Sequence, residues 1–398
     1  MKNSYLKLFG IEKGFVALNH GSFGACPTEI INYQFELVKK MESLPTRFFT
    51  RIIKPLTKES MEILSSFVNV PAKDMVFVRN ATTAANAVIN SMPFQKGDEI
   101  VTTNLIYGSC RNALDHAAQT KGAVIKKAAI PFPVKSENEI TESILGLITK
   151  KTKLIFIDHV TSETAMIMPV KKICNEANRL GIDIFIDGAH APGMIPLDIS
   201  AINPTYYTGN CHKWICAPKG SAFLYVRPDR QENTIPPVIS NYFRQGETAN
   251  EKLHNSFDWS GTMDYTSHAC VGKTIEYLRD NIDGGWNEIM KRNHELAITG
   301  RNIIAKELHL DQYLPDELIG SMATIKLNST AVIDPSTGLD IIQMKLLDEY
   351  KIEALITTLY PTGERILRIS AALYNNENDY ELLAEALKMT LESNFVAL

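Results

Sequence analysis

Short apolar runs alternate with longer amphipathic stretches between about residues 74 and 227. The runs are rich in β-branched and aromatic residues and predict buried strands, whereas the stretches between them have helical apolar spacing. The predicted strands are Met75–Val78, Glu99–Thr102, Val124–Ile125, Leu154–Ile157, Asp183–Ile186, Tyr206–Thr208 and Ser221–Val226. The predicted helices include Thr83–Met92, Ser109–Lys121 and Val170–Leu180. This pattern predicts an α/β fold with a mostly parallel seven-stranded sheet, covered by helices on both faces.

The pattern changes near residue 265, where helices and strands take on an α+β character. The predicted helices there are His268–Arg279, Trp286–Leu308, Leu339–Tyr350 and Asp379–Leu391, and the predicted strands are Met322–Leu327, Ile352–Ile356 and Ile366–Ile369. We therefore predict an N-terminal arm (residues 1–20), a large domain (21–265) and a smaller α+β domain (266–398). The polar stretch Gln245–Asn255 is predicted to be a long surface loop.

Composition and charge argue against several classes of protein. A net charge of −4 gives no broad basic field for nucleic acid. The longest apolar runs are too short to span a membrane, and the first residues have no apolar core that would indicate a signal peptide. Six scattered cysteines without CxxC spacing predict a reduced, cytoplasmic protein with free thiols. The nine histidines form no HxxxH or HxH cluster, so no metal site is expected.

Two charged residues follow neighbouring predicted strands. Asp187 ends the apolar strand before Gly188, and Lys213 lies 26 residues later in the segment Thr208–Trp214. Side chains at the carboxyl ends of parallel strands meet in one crevice. Pyridoxal 5'-phosphate (PLP) needs a lysine that binds it as a Schiff base and a carboxylate that keeps its pyridine nitrogen protonated. The pair therefore predicts a PLP site, although an aspartate can also cap a helix and a lysine usually lies on the solvated surface.

A phosphate site is predicted where the strand Met75–Val78 is followed by a helix. Thr82 and Thr83 lie at that helix N-terminus, which offers backbone N–H groups and hydroxyls. Asn210 and His212 flank Lys213 and can reach the same phosphate. Threonine is also a common N-cap, and His212 also fits a hydrogen-bonded core histidine. No GxGxxG or GxxxxGK[ST] segment follows a predicted strand, which argues against dinucleotide or P-loop binding.

An ordered series of segments extends this interpretation over nearly the whole chain. The segments are Leu18–Gly24, Asn80–Thr83, Asp158–Thr164, Asp187–Gly193, His212–Trp214, Trp259–Asp264, Arg368–Ser370 and Tyr374–Asn375. Together they resemble the class V aminotransferase family of PLP fold type I, and most closely its isopenicillin N epimerase-like branch. Any one segment alone is weak, but the series in this order is specific. The resemblance implies fold type I with PLP on Lys213 and Asp187.

The resemblance also implies roles for matching residues around the cofactor. Thr82, Thr83, Asn210 and His212 would hold the phosphate, as the residues themselves predict. Tyr107 would stack on the ring, although it also fits a core tyrosine. Ser162 and His190 would lie near the phenolic oxygen. Many members of the class have a glutamine in place of His190, so the reaction type does not carry over directly.

Further implied roles concern the substrate and the assembly. Arg368 would pair with a substrate α-carboxylate, for which a planar guanidinium is suited. Asn19 and His20 would line the substrate pocket. Thr262 would reach the phosphate of a neighbouring subunit, which implies a homodimer with composite active sites.

The predicted function is PLP chemistry at the α-carbon of an amino acid or a related amine. Lys213, released from the cofactor, is the expected base. Epimerisation and β-elimination rank ahead of transamination, and a non-catalytic PLP-fold ligand sensor is the alternative from another class. Cysteine desulfurases of this class use a cysteine in the small domain, and here no cysteine follows Cys270. This argues against desulfurase activity.

Overall fold

The computed structural model describes residues 5–310, 314–360 and 362–395, with side chains to residue 392. Residues 1–4 of the predicted N-terminal arm lie outside the described residues. The strands are β1 (Val16–Ala17), β2 (Met75–Val78), β3 (Glu99–Thr103), β4 (Val124–Ala128), β5 (Thr152–Asp158), β6 (Asp183–Asp187), β7 (Tyr206–Asn210), β8 (Ala222–Val226), β9 (Met322–Lys326), β10 (Ile352–Glu353), β11 (Leu355–Leu359) and β12 (Glu364–Ser370). The α-helices are α1 (His20–Phe23), α2 (Thr28–Ser43), α3 (Pro45–Arg47), α4 (Ile53–Phe67), α5 (Ala81–Ser91), α6 (Gly108–Lys121), α7 (Glu137–Leu145), α8 (Val170–Leu180), α9 (Ile199–Ile202), α10 (Ala249–Phe257), α11 (Thr266–Asn281), α12 (Gly285–Glu307), α13 (Ile341–Asp348) and α14 (Glu377–Phe395).

The main sheet has the strand order β2-β8-β7-β6-β5-β3-β4 within the described residues. Strand β8 runs antiparallel to both of its neighbours, and the other adjacent pairs are parallel. The prediction of a mostly parallel, seven-stranded α/β sheet is therefore confirmed. Because β2, β3, β5, β6 and β7 share one direction, their carboxyl ends lie along the same edge of the sheet.

Both faces of the central strands are buried, which explains why their sequences are apolar at almost every position. Phe156 and Phe185 stack at 4.5 Å on the face covered by α5 and α6. Ile155 and Ile184 point to the opposite face, which packs against α8. The central strands are thus rigid supports for whatever follows their carboxyl ends.

The second sheet belongs to the C-terminal half of the chain. Strands β11, β12 and β9 form an antiparallel sheet in that order, and α12 packs against α14 beside it. The single strand predicted over Ile352–Ile356 is wrong, since Ala354 separates β10 from β11. Strand β10 instead pairs in parallel with β1, so the N-terminal segment is tied to this half. The domain boundaries remain a prediction.

The predicted loop over Gln245–Asn255 is also wrong in its second half, where α10 begins after Thr248. Thr248 and Glu251 form a capping box, in which each side chain bonds the other's backbone N–H. This spacing is a recognised helix start. Because the whole stretch is polar, the sequence predicted a loop there and not the start of a helix.

Candidate active site

The site lies at the carboxyl edge of the main sheet. Asp187 is the last residue of β6, and Lys213 follows β7 after a turn. Asp158 ends the neighbouring strand β5 and pairs in register with Asp187. Asn80 follows β2 and Tyr107 follows β3, each at the start of a helix. Residues distant in sequence therefore meet because five strands end at one edge.

Two glycines allow the backbone to close around the turn that carries Lys213. Gly24 has φ +73°, and a Cβ there would lie 2.0 Å from the His212 carbonyl oxygen. Gly193 has φ +85°, and a Cβ there would lie 2.6 Å from the Trp214 carbonyl oxygen. Both the left-handed conformation and the close approach require glycine. The turn is thus fixed by backbone packing from two sides.

The amine of Lys213 faces His190, with Nζ 3.0 Å from Nε2. Removal of water lowers the pKa of Lys213 to about 7, and the positive charge of Arg368 acts in the same direction. Asp187 and Asp158 oppose that shift. At neutral pH a large fraction of this amine is therefore uncharged and able to act as a nucleophile or a base.

Asp187 is buried and accepts two hydrogen bonds. Oδ1 accepts from the Ala189 N–H at 3.0 Å, and Oδ2 accepts from the Cys110 thiol at 3.3 Å. Burial raises its pKa, while these two donors and Lys213 favour the ionised form. The alternative that Asp187 caps a helix is wrong, because residues 188–190 form a turn and α9 is capped by Asp198.

Asp158 was not singled out as a site residue from the sequence. It is buried beside Asp187, and its Oδ2 has no hydrogen-bond partner among the described residues. Burial and the neighbouring charge of Asp187 raise the pKa of Asp158 well above its usual range. The negative charge of each carboxyl group therefore disfavours ionisation of the other, and the pair binds a proton more readily than two separate aspartates would.

The N-terminus of α5 is organised by Asn80, another residue that the sequence did not single out for the site. Its Oδ1 accepts from the Thr83 N–H at 2.8 Å, so the cap is Asn80 rather than a threonine. Asn210 Oδ1 accepts from the Ala81 N–H at 2.9 Å, which joins the end of β7 to this helix. Thr82 and Thr83 lie half-buried in the first turn of α5. The predicted phosphate residues of β7 and α5 are therefore neighbours.

His212 is the remaining predicted phosphate residue. It is half-buried, and its Nδ1 lies 3.0 Å from the Ser221 carbonyl oxygen. Burial lowers its pKa to about 4, so the imidazole is neutral at physiological pH. Because Nδ1 donates the ring's one proton to the Ser221 carbonyl oxygen, Nε2 is an acceptor in the neutral ring. It can donate to a phosphate only when the ring is protonated, a form that a bound anion stabilises.

Arg368 is a buried guanidinium whose hydrogen-bond partners are uncharged. Nη1 donates to the Ser162 carbonyl oxygen at 2.6 Å, and Nη2 donates to Asn19 Oδ1 at 3.1 Å and Ser22 Oγ at 2.8 Å. Nε has no partner among the described residues. Burial lowers the pKa of Arg368 to about 10, so the group is still a cation at neutral pH. A buried cation with an unused donor fits a carboxylate ligand.

The N-terminal residues reach the site from the other half of the chain. Asn19 contacts Arg368, as described above, whereas His20 lies behind the lysine turn. His20 Nε2 is 2.9 Å from the Lys213 carbonyl oxygen, and Nδ1 is 2.9 Å from the Tyr374 hydroxyl. Burial lowers the pKa of His20 to about 4. The contacts of His20 support the backbone of the lysine turn.

The other predicted residues differ in their surroundings. Tyr107 precedes α6 and is 43% exposed, so it is not a core tyrosine. Ser162 is half-buried and contacts Arg368 through its backbone. Thr262 lies on an exposed turn after α10, and its predicted role depends on a second subunit.

The donor set fits PLP. Asp187 is a buried carboxyl group, the charges of Asp187 and Lys213 interact, and Lys213 has a lowered pKa. The N-terminus of α5, with two hydroxyls, lies at the same edge of the sheet and suits a phosphate. Asp158 Oδ2 and Arg368 Nε, which have no hydrogen-bond partner among the described residues, are polar atoms that a cofactor or a substrate could bind.

Comparison with known proteins agrees with this geometry. The sequence model described as Aminotransferase class-V matches residues 38–383. The chain is 30% identical over 407 residues to "Probable L-cysteine desulfhydrase, chloroplastic" of Arabidopsis thaliana, covering 96% of this chain and 84% of that protein. It is 29% identical over 385 residues to isopenicillin N epimerase of Amycolatopsis lactamdurans, covering 93% of this chain and 94% of that protein.

Solved structures share the fold at lower sequence identity. A lysine-to-alanine mutant of C-DES, with glycine covalently linked to the PLP cofactor, has a TM-score of 0.80 at 17% identity, covering 96% of this chain and 98% of that one. The cysteine desulfurase CsdA of Escherichia coli has a TM-score of 0.78 at 18% identity, and the match covers 98% of this chain and 99% of that one. At such identities the likeness establishes fold type I and leaves the reaction open.

Proposed function

Because the chain belongs to the aminotransferase class-V family, a class of PLP-dependent enzymes, we propose that it is a carbon–sulfur β-lyase. The proposed substrate is L-cysteine or a related amino acid that carries sulfur on Cβ. The observation that carries the proposal is the buried Lys213 amine at the carboxyl edge of the sheet, 3.0 Å from His190 Nε2. Burial lowers its pKa to about 7, which lets one group accept and return a proton near neutral pH.

The residues proposed to hold the cofactor are those that line the carboxyl edge of the sheet. Lys213 binds it covalently, and Asp187 pairs with its pyridine nitrogen. The proposed phosphate ligands are Thr82, Thr83, Asn210 and His212, with Thr262 of a second subunit. Tyr107 covers the ring, and Ser162 and His190 face the phenolic oxygen.

The proposed chemistry at the substrate begins with binding. When bound, PLP withdraws electrons from the α-carbon of an attached amino acid, so that a bond to that carbon breaks more readily. Arg368 binds the α-carboxylate and orients the amino acid, while Asn19 and Ser22 hold the guanidinium in place. Lys213 Nζ, which would be free once the amine of the substrate replaces it on the cofactor, would accept the α-proton.

Protonated Lys213 then donates this proton to the sulfur that leaves Cβ. The C–H bond and the C–S bond break, the electron pair of the C–H bond forms the Cα–Cβ double bond, and the sulfur keeps the pair of the C–S bond. With water, L-cysteine yields hydrogen sulfide, ammonia and pyruvate. The relative named L-cysteine desulfhydrase supports this reaction.

Epimerisation is the second candidate, and the relative named isopenicillin N epimerase favours it. It shares removal of the α-proton with the lyase reaction. It differs in needing a proton donor on the face of the substrate opposite Lys213. Since a single proton carrier suffices for elimination, we rank the lyase first. Transamination and a non-catalytic ligand sensor rank below both.

Cysteine desulfurase activity is proposed to be absent, although CsdA shares the fold. No cysteine follows Cys270, and all six cysteines are buried. Burial raises the pKa of Cys110, the thiol nearest Asp187, well above its usual range. A buried, protonated thiol is a poor acceptor for sulfur.

The test is product analysis with purified enzyme, PLP and L-cysteine, without any keto acid. We expect pyruvate, ammonia and sulfide in equal amounts, with no persulfide on the protein. In deuterated water, exchange of the α-proton with inversion and without pyruvate would instead establish an epimerase. Binding of many amino acids without α-exchange would overturn both candidates.

The assembly and the location are further proposals. A homodimer is supported by the predicted role of Thr262, which lies on an exposed turn. A cytoplasmic location is supported by the free thiols, although the Arabidopsis relative is named chloroplastic. None of the described helices has the length and apolar character needed to cross a membrane.

A further inference from the structure

Trp214, the residue after Lys213, makes a contact that the proposed function does not use. It is buried, and its indole N–H donates to His190 Nδ1 at 3.4 Å. The other ring nitrogen of His190, Nε2, faces Lys213 Nζ at 3.0 Å. Trp214 and Lys213, adjacent in the chain, therefore hold His190 from opposite sides of its ring.

The chemistry of these groups decides which nitrogen of His190 carries a proton. An indole nitrogen is only a donor, so Nδ1 must be the unprotonated nitrogen that accepts from it. Burial and the charges of Lys213 and Arg368 hold the pKa of His190 well below its usual range. The ring is therefore neutral, and its one proton lies on Nε2.

We propose that Trp214 is a positioning residue that fixes His190 as the Nε2–H tautomer, so that His190 always presents a hydrogen-bond donor toward Lys213 and the cofactor. An ammonium group has three donors and no acceptor, so only the uncharged amine of Lys213 accepts from this N–H. The arrangement holds Lys213 in the form that attacks a carbonyl and removes protons.

The same tautomer would present Nε2–H to the phenolic oxygen of the cofactor, near which His190 is proposed to lie. This part of the proposal rests on the proposed function, whereas the tautomer itself does not.

The charged and titratable groups around the pair are known from the structure. Those facing Lys213 are Arg368, Asp187, Asp158, Cys110 and His190, and those facing His190 are Lys213, Arg368, His212 and His20. Without the indole donor, Nδ1 is able to take the proton. Nε2 then accepts from the Lys213 ammonium, which stabilises the charged form.

The first test is a nitrogen-15 NMR spectrum of full-length wild-type protein from which the cofactor has been removed. The His190 signals are identified by their loss in a His190→Gln variant. We expect a protonated Nε2 and an unprotonated Nδ1 over neutral pH. A proton on Nδ1 would overturn the proposal.

The second test replaces the donor while keeping an aromatic ring, in Trp214→Phe. The control is Trp286→Phe, which removes a buried indole donor to the Ile275 carbonyl oxygen far from the site. The pKa of Lys213 is read in cofactor-free protein from the pH dependence of its acetylation by acetic anhydride, measured by peptide mass spectrometry. We expect a rise of about one pH unit in Trp214→Phe and no change in the control.

If the pH dependence of Lys213 acetylation is unchanged in a folded Trp214→Phe protein, the proposal is contradicted. If that variant does not fold, the wild-type spectrum decides alone. Because both measurements use neither substrate nor cofactor, their outcome is independent of whether the enzyme is a lyase.

Discussion

The Cys110 thiol donates a hydrogen bond to Asp187 Oδ2 at 3.3 Å, and both side chains are buried. Cys110 lies on α6 and Asp187 ends β6, so a helix that covers the sheet contacts the carboxylate proposed to hold the pyridine nitrogen. With Ala189 N–H on the other oxygen, Asp187 is fixed in orientation. The thiol thus has a positioning role, which differs from that of a sulfur acceptor.

We predict that Cys110→Ala weakens PLP binding about five-fold, because a hydrogen bond to a carboxylate from a weak donor contributes about 1 kcal/mol. The measurement is an absorbance titration of cofactor-free protein with PLP. Cys174→Ala, which removes a buried thiol on α8, is the matched control for stability. Equal PLP affinity in Cys110→Ala and Cys174→Ala would show that the thiol does not support Asp187.

Arg368→Lys should weaken amino-acid binding about 10- to 100-fold, because a charge-assisted pair contributes about 1.5–3 kcal/mol and lysine cannot reproduce the two-pronged geometry. PLP content should not change. The readout is the spectral shift of the bound cofactor on addition of amino acid.

Arg365→Lys is the matched control, since Arg365 lies on the same strand but pairs with Asp340 at 2.9 Å. An amine without a carboxylate should bind equally to wild type and to Arg368→Lys. Loss of PLP from Arg368→Lys, with amino-acid binding intact, would refute the role of Arg368.

Capture of PLP by cofactor-free protein should depend on pH through Lys213. The uncharged amine is the nucleophile, and a folded-state pKa of about 7 lies below the ordinary value of 10.5. The capture rate should therefore rise with pH through about 7 and level off above it. Stopped-flow absorbance measures this rate. A rate that still climbs steeply between pH 8 and pH 10 would mean that the amine is not perturbed.

The local pattern of the sequence was enough to predict much of the fold and to select the two central candidates for the site. The buried strands are apolar at almost every position, so β2, β6 and β8 appear where the sequence predicted them. Lys213 and Asp187 were predicted because one follows such a strand and the other ends one, and strand direction does bring both to one edge. Their roles at the cofactor stay a prediction.

Contacts between distant segments could not be predicted in the same way. The Cys110–Asp187 bond spans 77 residues, and a lone cysteine in an amphipathic helix has no local signal. The pairing of β1 with β10 joins Val16 to Ile352, two segments far apart in the sequence. By contrast, Asn80 could have been found, because asparagine before a helical pattern is a standard N-cap.

The proposed homodimer predicts that Thr262→Ala weakens PLP binding while leaving the dimer intact, because the hydroxyl acts on a neighbouring phosphate. Light scattering at micromolar concentration should give twice the chain mass for both proteins. Thr330→Ala, which changes an exposed threonine after β9, is the control. A wild-type monomer with full PLP occupancy would exclude the composite site.

The central claim is that Lys213 is the amine that binds the cofactor, and borohydride reduction followed by peptide mapping tests it most directly. Purified holoenzyme should be yellow and lose its visible band on reduction. Mass spectrometry should then find the pyridoxyl adduct on the peptide containing Lys213, and Lys219, six residues away, should be unmodified. An adduct on any other lysine, or on none, would contradict the account.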